Sequence, residues 1–90
     1  MPSFLYFLDS GGRKMSEIEW MDIFGDNLAQ MMNEAKMSQR ELADEIGVHE
    51  STISHYINKQ RIPSIKHVLN ISYVLDCGVE ELIDFDEKIE

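Results

Sequence analysis

Ninety residues make one small domain, with little room for a catalytic cleft. The chain is 43% hydrophobic and 28% charged, a globular balance and not a disordered one. Its single cysteine, Cys77, excludes an internal disulfide and a thiolate zinc site, and fits a reducing, cytoplasmic setting. The formal net charge of −9 argues at first sight against a nucleic-acid partner, because phosphate contacts need cations. The charge is unevenly spread, however. Residues 1–35 are net −4, with Arg13 and Lys14 against Asp9, Glu17, Glu19, Asp22, Asp26 and Glu34. Residues 68–90 are net −6, with Lys88 against Asp76, Glu80, Glu81, Asp84, Asp86, Glu87 and Glu90. Residues 36–67 are net +1, with Lys36, Arg40, Lys59, Arg61 and Lys66 against Glu41, Asp44, Glu45 and Glu50. All three histidines fall in this middle third, the one part that tolerates a phosphate backbone. Acidic flanks of this kind either keep a small protein soluble or repel non-specific DNA, which predicts weak, salt-sensitive and selective binding.

Residues 1–16 read as an N-terminal extension. The apolar run Phe4-Leu-Tyr-Phe-Leu8 is too short to span a membrane and lacks the flank of a signal peptide. It suits a short strand or an apolar arm, with Asp9-Ser-Gly-Gly12 as a turn after it. Met15 offers an alternative translation start.

A helical domain is expected over residues 17–83, all-α, with five helices. From Glu17 to Ala35, Trp20, Phe24, Leu28, Met31, Met32 and Ala35 recur in steps that place one apolar stripe on one face. Ser38-Gln-Arg-Glu41 is a capping box that opens a second helix, and Gly47 ends it as a residue free to take positive φ. A third helix runs from about His49 to Asn58, weakly capped by His49, with Ile53, Tyr56 and Ile57 inside. Pro63 disfavours helix at the residue before it, and Ser64 caps a fourth helix. Ile65, Val68, Leu69, Ile71, Ser72 and Leu75 form that helix's expected apolar face. Asp76 closes it in a left-handed conformation, Cys77 enters the core, and Gly78 starts a short fifth helix. Residues 84–90 form an acidic, frayed tail.

The spacing across residues 38–58 is the informative part. A helix of two turns ends in Gly47-Val48, and another follows at once. Leu42, Ala43, Ile46, Val48, Ile53 and Ile57 lie on the inside of the pair. Ala43 leaves room for a close crossing. This is the helix-turn-helix that projects its second helix into the major groove.

The run Met37-Ser-Gln-Arg-Glu-Leu-Ala-Asp-Glu-Ile-Gly-Val-His-Glu-Ser-Thr-Ile-Ser-His-Tyr-Ile-Asn58 resembles the phage repressor/Cro family of helix-turn-helix proteins. Phe24-Gly25 with Leu28, Ile62-Pro63-Ser64-Ile65, and Leu75 to Leu82 extend the resemblance over residues 20–83. It implies a lambda-repressor-like fold and a sequence-specific, repressor-like regulator, bound as a homodimer to double-stranded DNA. By the same resemblance, Glu50, Ser51, Ser54 and His55 occupy the base-reading positions. Ser38, Gln39, Asn58, Lys59 and Arg61 occupy phosphate-contacting positions, with Arg40 and Lys66 weaker candidates. Each has a plainer alternative: Ser38 is a helix cap in any case, and Glu50 suits a helix start. Tyr56 is expected to be a core lid, and His67 a surface histidine.

The chain departs from the family in two places. Members often pair an arginine at the position of Met32 with a glutamate at that of Ile57, and here both are apolar. Such a replacement of a whole ion pair by packed apolar groups is tolerated, whereas losing one partner is costly. Members also favour glycine at the position of Lys59, so Asn58 is expected to take the left-handed turn instead. The competing reading is an antitoxin or protein-interaction module on the same fold with weak or no DNA binding. Candidate dimer surfaces are the fifth helix, the tail from Ile83 and the arm at residues 4–8. No enzyme, cofactor, metal site or membrane association is expected.

Overall fold

The computed structural model describes residues 6–8 and 14–83, with side chains over 18–83. The turn expected at 9–12 and the tail at 84–90 lie outside the described residues. Two short strands, β1 (Tyr6–Leu8) and β2 (Lys14–Ser16), pair antiparallel with Phe7 opposite Met15. The extension thus contributes a two-stranded antiparallel pair, and five helices follow: α1 (Glu17–Ala35), α2 (Gln39–Ile46), α3 (Glu50–Ile57), α4 (Ile65–Leu75) and α5 (Val79–Ile83).

The core is one body. Trp20, Phe24, Leu28 and Met32 run along α1, at the three- and four-residue steps read from the sequence. They meet Leu42 and Ala43 of α2, Ile53 and Tyr56 of α3, Val68, Ile71 and Leu75 of α4, and Leu82 of α5. Each fully buried aliphatic side chain contributes about 1.5–3 kcal/mol relative to exposure. Trp20 stacks on Phe24, with ring centroids 5.6 Å apart. Phe24 in turn meets the edge of Tyr56 at 5.8 Å, so aromatic packing joins α1 to α3. Asn27 Nδ2 donates to the Leu82 carbonyl at 2.9 Å and fixes α5 against α1.

The helix starts follow the sequence closely. The Ser38 Oγ accepts from the Glu41 N–H at 3.0 Å, and the Glu41 carboxylate accepts from the Ser38 N–H at 2.8 Å. The Ser64 Oγ accepts from the His67 N–H at 3.2 Å. His49 makes no side-chain cap.

Three expectations need correction. The left-handed residue after α3 is Lys59 (φ 62), while Asn58 keeps φ −86. The reason is the hydrogen-bond pattern: the Gln60 N–H reaches the His55 carbonyl and the Lys59 N–H reaches the Tyr56 carbonyl. That closure requires the left-handed residue one position later than Asn58. The second correction concerns α4, where Ile65 and Leu69 are 70% and 51% exposed and do not belong to the buried face. Apolar residues surround most of α4, and packing on α2 and α5 covers only the arc of Val68, Ile71, Ser72 and Leu75. Third, His67 is half-buried, not a free surface histidine. Its Nδ1 and the Tyr56 hydroxyl share a 2.6 Å hydrogen bond.

Candidate nucleic-acid interface

α2 and α3 form the helix pair. Gly47 joins them at φ 75, and the Val48 N–H closes on the Ala43 carbonyl at 3.0 Å. A side chain at position 47 would meet no atom within 4 Å, so glycine is needed here for its backbone alone. Ile53 and Tyr56 turn inward and fix the rotation of α3 about its axis. That rotation decides which residues face outward.

Ser51, Ser54, His55 and Asn58 share the outward side of α3, at the three- and four-residue spacing of one helix face. Ser51 and Asn58 are exposed, and Ser54 and His55 half-exposed. Asn58 Nδ2 donates to the Ser54 Oγ at 3.3 Å, linking two of the sequence-predicted positions. Glu50 is exposed in the first turn of α3, on the flank of this face. The side presents hydroxyl, imidazole, amide and carboxylate groups, which together can donate to and accept from base edges.

Ser38 and Gln39 stand at the start of α2. They rim an open depression whose lining includes Met32 and Ile57. The two apolar replacements noted in the sequence therefore line the same depression at the start of α2, where Met32 is buried and Ile57 packs on the core. The exposed start of α2 presents backbone N–H groups beside Gln39, a suitable seat for a phosphate.

Lys59 behaves differently from the expectation of a free phosphate contact. Its ammonium lies 2.7 Å from an Asp26 oxygen and 3.1 Å from one of Asp22, both on α1. Hydrogen bonding to Asp26 first, then to Asp22, raises its pKa above the usual lysine value. To meet a phosphate, Lys59 must share or leave these acids. Arg61 is exposed two residues on, in the loop, and its charge opposes the upward pKa shift that burial imposes on Tyr56.

Asp22 and Asp26 entered the sequence reading only as acidic charge, and Gly25 only as part of the family resemblance. The acids are spaced four apart on α1, which is a readable pattern, but their partner is 33 residues away from Asp26 and visible only in the fold. Gly25 lies between them. A Cβ there would fall 2.7 Å from the Tyr56 carbonyl and 3.1 Å from that of Ile57, so α1 crosses the end of α3 too closely for any side chain.

Known proteins resemble this chain in sequence and fold. A helix-turn-helix family model matches residues 28–82. A Bacillus subtilis protein, YqaE, described as an uncharacterized HTH-type transcriptional regulator, is 29% identical over 69 residues, covering 74% of this chain and 60% of its own length. The chain thus spans about three fifths of that relative. The restriction-modification controller protein C.AhdI from Aeromonas hydrophila is similar in structure, with a TM-score of 0.66 and 27% identity over 69% of this chain and 94% of its own. The N-terminal DNA-binding domain of SinR from Bacillus subtilis has a TM-score of 0.65 and 34% identity, covering 77% of this chain and 99% of its own. The chain belongs to the helix-turn-helix family of the phage repressor/Cro type.

Proposed function

We propose that this helix-turn-helix protein is a DNA-binding transcriptional regulator of the repressor kind, acting in the cytoplasm as a homodimer on double-stranded DNA. The observation that carries the reading is the outward side of α3, where Ser51, Ser54, His55 and Asn58 stand clear of a core that locks the helix by Ile53 and Tyr56. In this reading α3 enters the major groove. Glu50 accepts from a cytosine amino group, Ser51 and Ser54 donate or accept, and His55 reaches a guanine edge. The start of α2, with Ser38 and Gln39, receives one phosphate, and Asn58 and Arg61 another. Lys59 contributes to the backbone contact to the extent that Asp22 and Asp26 release it. Affinity is modest, because the face holds few cations and one module offers a small interface.

The test is binding of the purified chain to the DNA upstream of its own gene across a salt series. Affinity that falls as salt rises supports the reading, and a folded protein that binds at no salt concentration overturns it.

The net charge of −9 favours a second reading, an antitoxin or interaction module on the same fold. A protein encoded beside it that co-purifies with it and leaves DNA binding unchanged or absent separates the two. No helix among the described residues is long and apolar enough to cross a membrane.

A further inference from the structure

The exposed side of α4 is the least expected surface of the molecule. Ile65, Leu69 and Tyr73 are 70%, 51% and 87% exposed. They are spaced four apart, so they form a straight apolar stripe along the whole helix. None of them belongs to the face assigned to DNA, and none supports the core. Scattered exposed apolar residues are ordinary, but three aligned on one helix are unusual for a face that meets only water.

The charges around the stripe indicate what docks there. At its N-terminal end stands an exposed base, Lys66, next to Ile65 on α4. At its C-terminal end stand exposed acids: Asp76 immediately after α4, then Glu80 and Glu81 on α5. The surface is thus apolar along its length, positive at one end and negative at the other. Laid antiparallel on a copy of itself, it sets stripe against stripe and the positive end against the negative end. Lys66 of each copy meets the acids of the other, and the two helix dipoles oppose each other. A parallel arrangement would set like charges together. Antiparallel self-matching is what a two-fold axis across the middle of a helix produces.

We propose that α4 is the homodimer surface of this protein, with the α4 helices of two copies packed antiparallel about a two-fold axis at Leu69. Leu69 meets Leu69 of the second copy, and Ile65 meets Tyr73 on both sides of the axis. The surface differs from those expected from sequence, which lay in α5, the tail and the N-terminal arm. An 11-residue helix is about 16 Å long. A seam of that length is small beside the roughly 800 Å² per partner of a stable interface, so the free dimer dissociates on the order of micromolar concentration. The dimer serves the operator binding proposed above. Its test uses no DNA, so a failure of one reading leaves the other standing.

The experiment is sedimentation equilibrium of the full chain from about 1 µM to about 1 mM, a range that brackets the expected dissociation constant. Three variants accompany the wild type: Leu69→Glu with Tyr73→Glu, Tyr73→Glu alone, and Leu69→Cys. Tyr73 is almost wholly exposed, so its single substitution keeps the fold, checked by helical circular dichroism and melting. The wild type is expected to dimerise across the range. Both glutamate variants should dissociate at least tenfold more readily. On oxidation Leu69→Cys should form a disulfide-linked dimer that the wild type, with Cys77 alone, does not form. A wild type that stays monomeric throughout overturns the proposal. So does a dimer that Tyr73→Glu leaves unchanged, or a Leu69→Cys variant that fails to cross-link.

Discussion

The two helices of the motif end in the same hydrogen-bond pattern but are held there by different means. After α2 the left-handed position is Gly47, exposed, with free space around it. After α3 it is Lys59, whose backbone takes φ 62 against the ordinary preference of an L-residue and whose ammonium grips Asp22 and Asp26. The first turn is set by backbone freedom alone. The second is set by tertiary contacts, with α1 pressed against it at Gly25. It follows that α3, the helix proposed to read DNA, is anchored at its far end by α1. Its near end needs only a residue that turns without strain.

This contrast is challenged hardest by pushing α1 away from α3. Gly25→Ala places a methyl group against the Tyr56 and Ile57 carbonyls and should cost about 2–3 kcal/mol in urea unfolding. An unchanged midpoint would show that α1 is not pressed against α3. Next comes Gly47→Ala, where no atom is in the way and only the left-handed backbone is at stake. It should cost about 1–2 kcal/mol, less than the change at position 25. Smaller still is a pair that isolates the anchor. Lys36 and Lys59 both take left-handed conformations, but the salt bridges to Asp22 and Asp26 are made by Lys59. Lys36→Gly should therefore stabilise the protein by about 0.5–1 kcal/mol through relief of its backbone. Lys59→Gly should gain less or lose stability, because it also removes the anchor. Equal gains in chemical denaturation would show that the ion pairs add nothing.

The smallest effect is at alkaline pH. The Lys59 pKa is raised in the folded state, so its stabilisation is fully present below the unfolded lysine value of 10.5. It is lost as pH rises through the higher folded value. The Tyr56 pKa is also raised, chiefly by burial, so the neutral phenol's contribution disappears in the same direction above 10.0. Melting temperature should decline above pH 10, and less steeply in Lys59→Met, which has no ammonium to titrate.

What the sequence made legible was local. The Ser38–Glu41 capping box, the turn at Gly47, the cap at Ser64 and the bounds of α1 all rest on short-range rules. Each is met in the structure. The left-handed turn after α3 was misplaced by one residue because side-chain preference favours asparagine over lysine there. The closing hydrogen bonds and the acids of α1 decide otherwise. The face of α4 was misread for another reason. Apolar residues lie on most sides of that helix, and periodicity alone cannot say which arc the rest of the domain covers. Tyr56 was read correctly as buried, yet its bond to His67 joins two helices and has no signature within either. The residues of the candidate site were legible as positions in a motif, and the structure adds which neighbours restrain them.

If the outward side of α3 reads DNA, charge placed on that side must disturb binding. The measurement is affinity for the upstream DNA, at one low salt concentration, of the wild type and of Ser51→Glu with His55→Glu. Both substitutions fall on solvent-facing or half-exposed positions, so melting should change little. Two added carboxylates facing the groove should weaken binding at least tenfold, since each lost or repelled base contact costs about 1–3 kcal/mol. Unchanged affinity in the folded variant would contradict a DNA-reading role for α3.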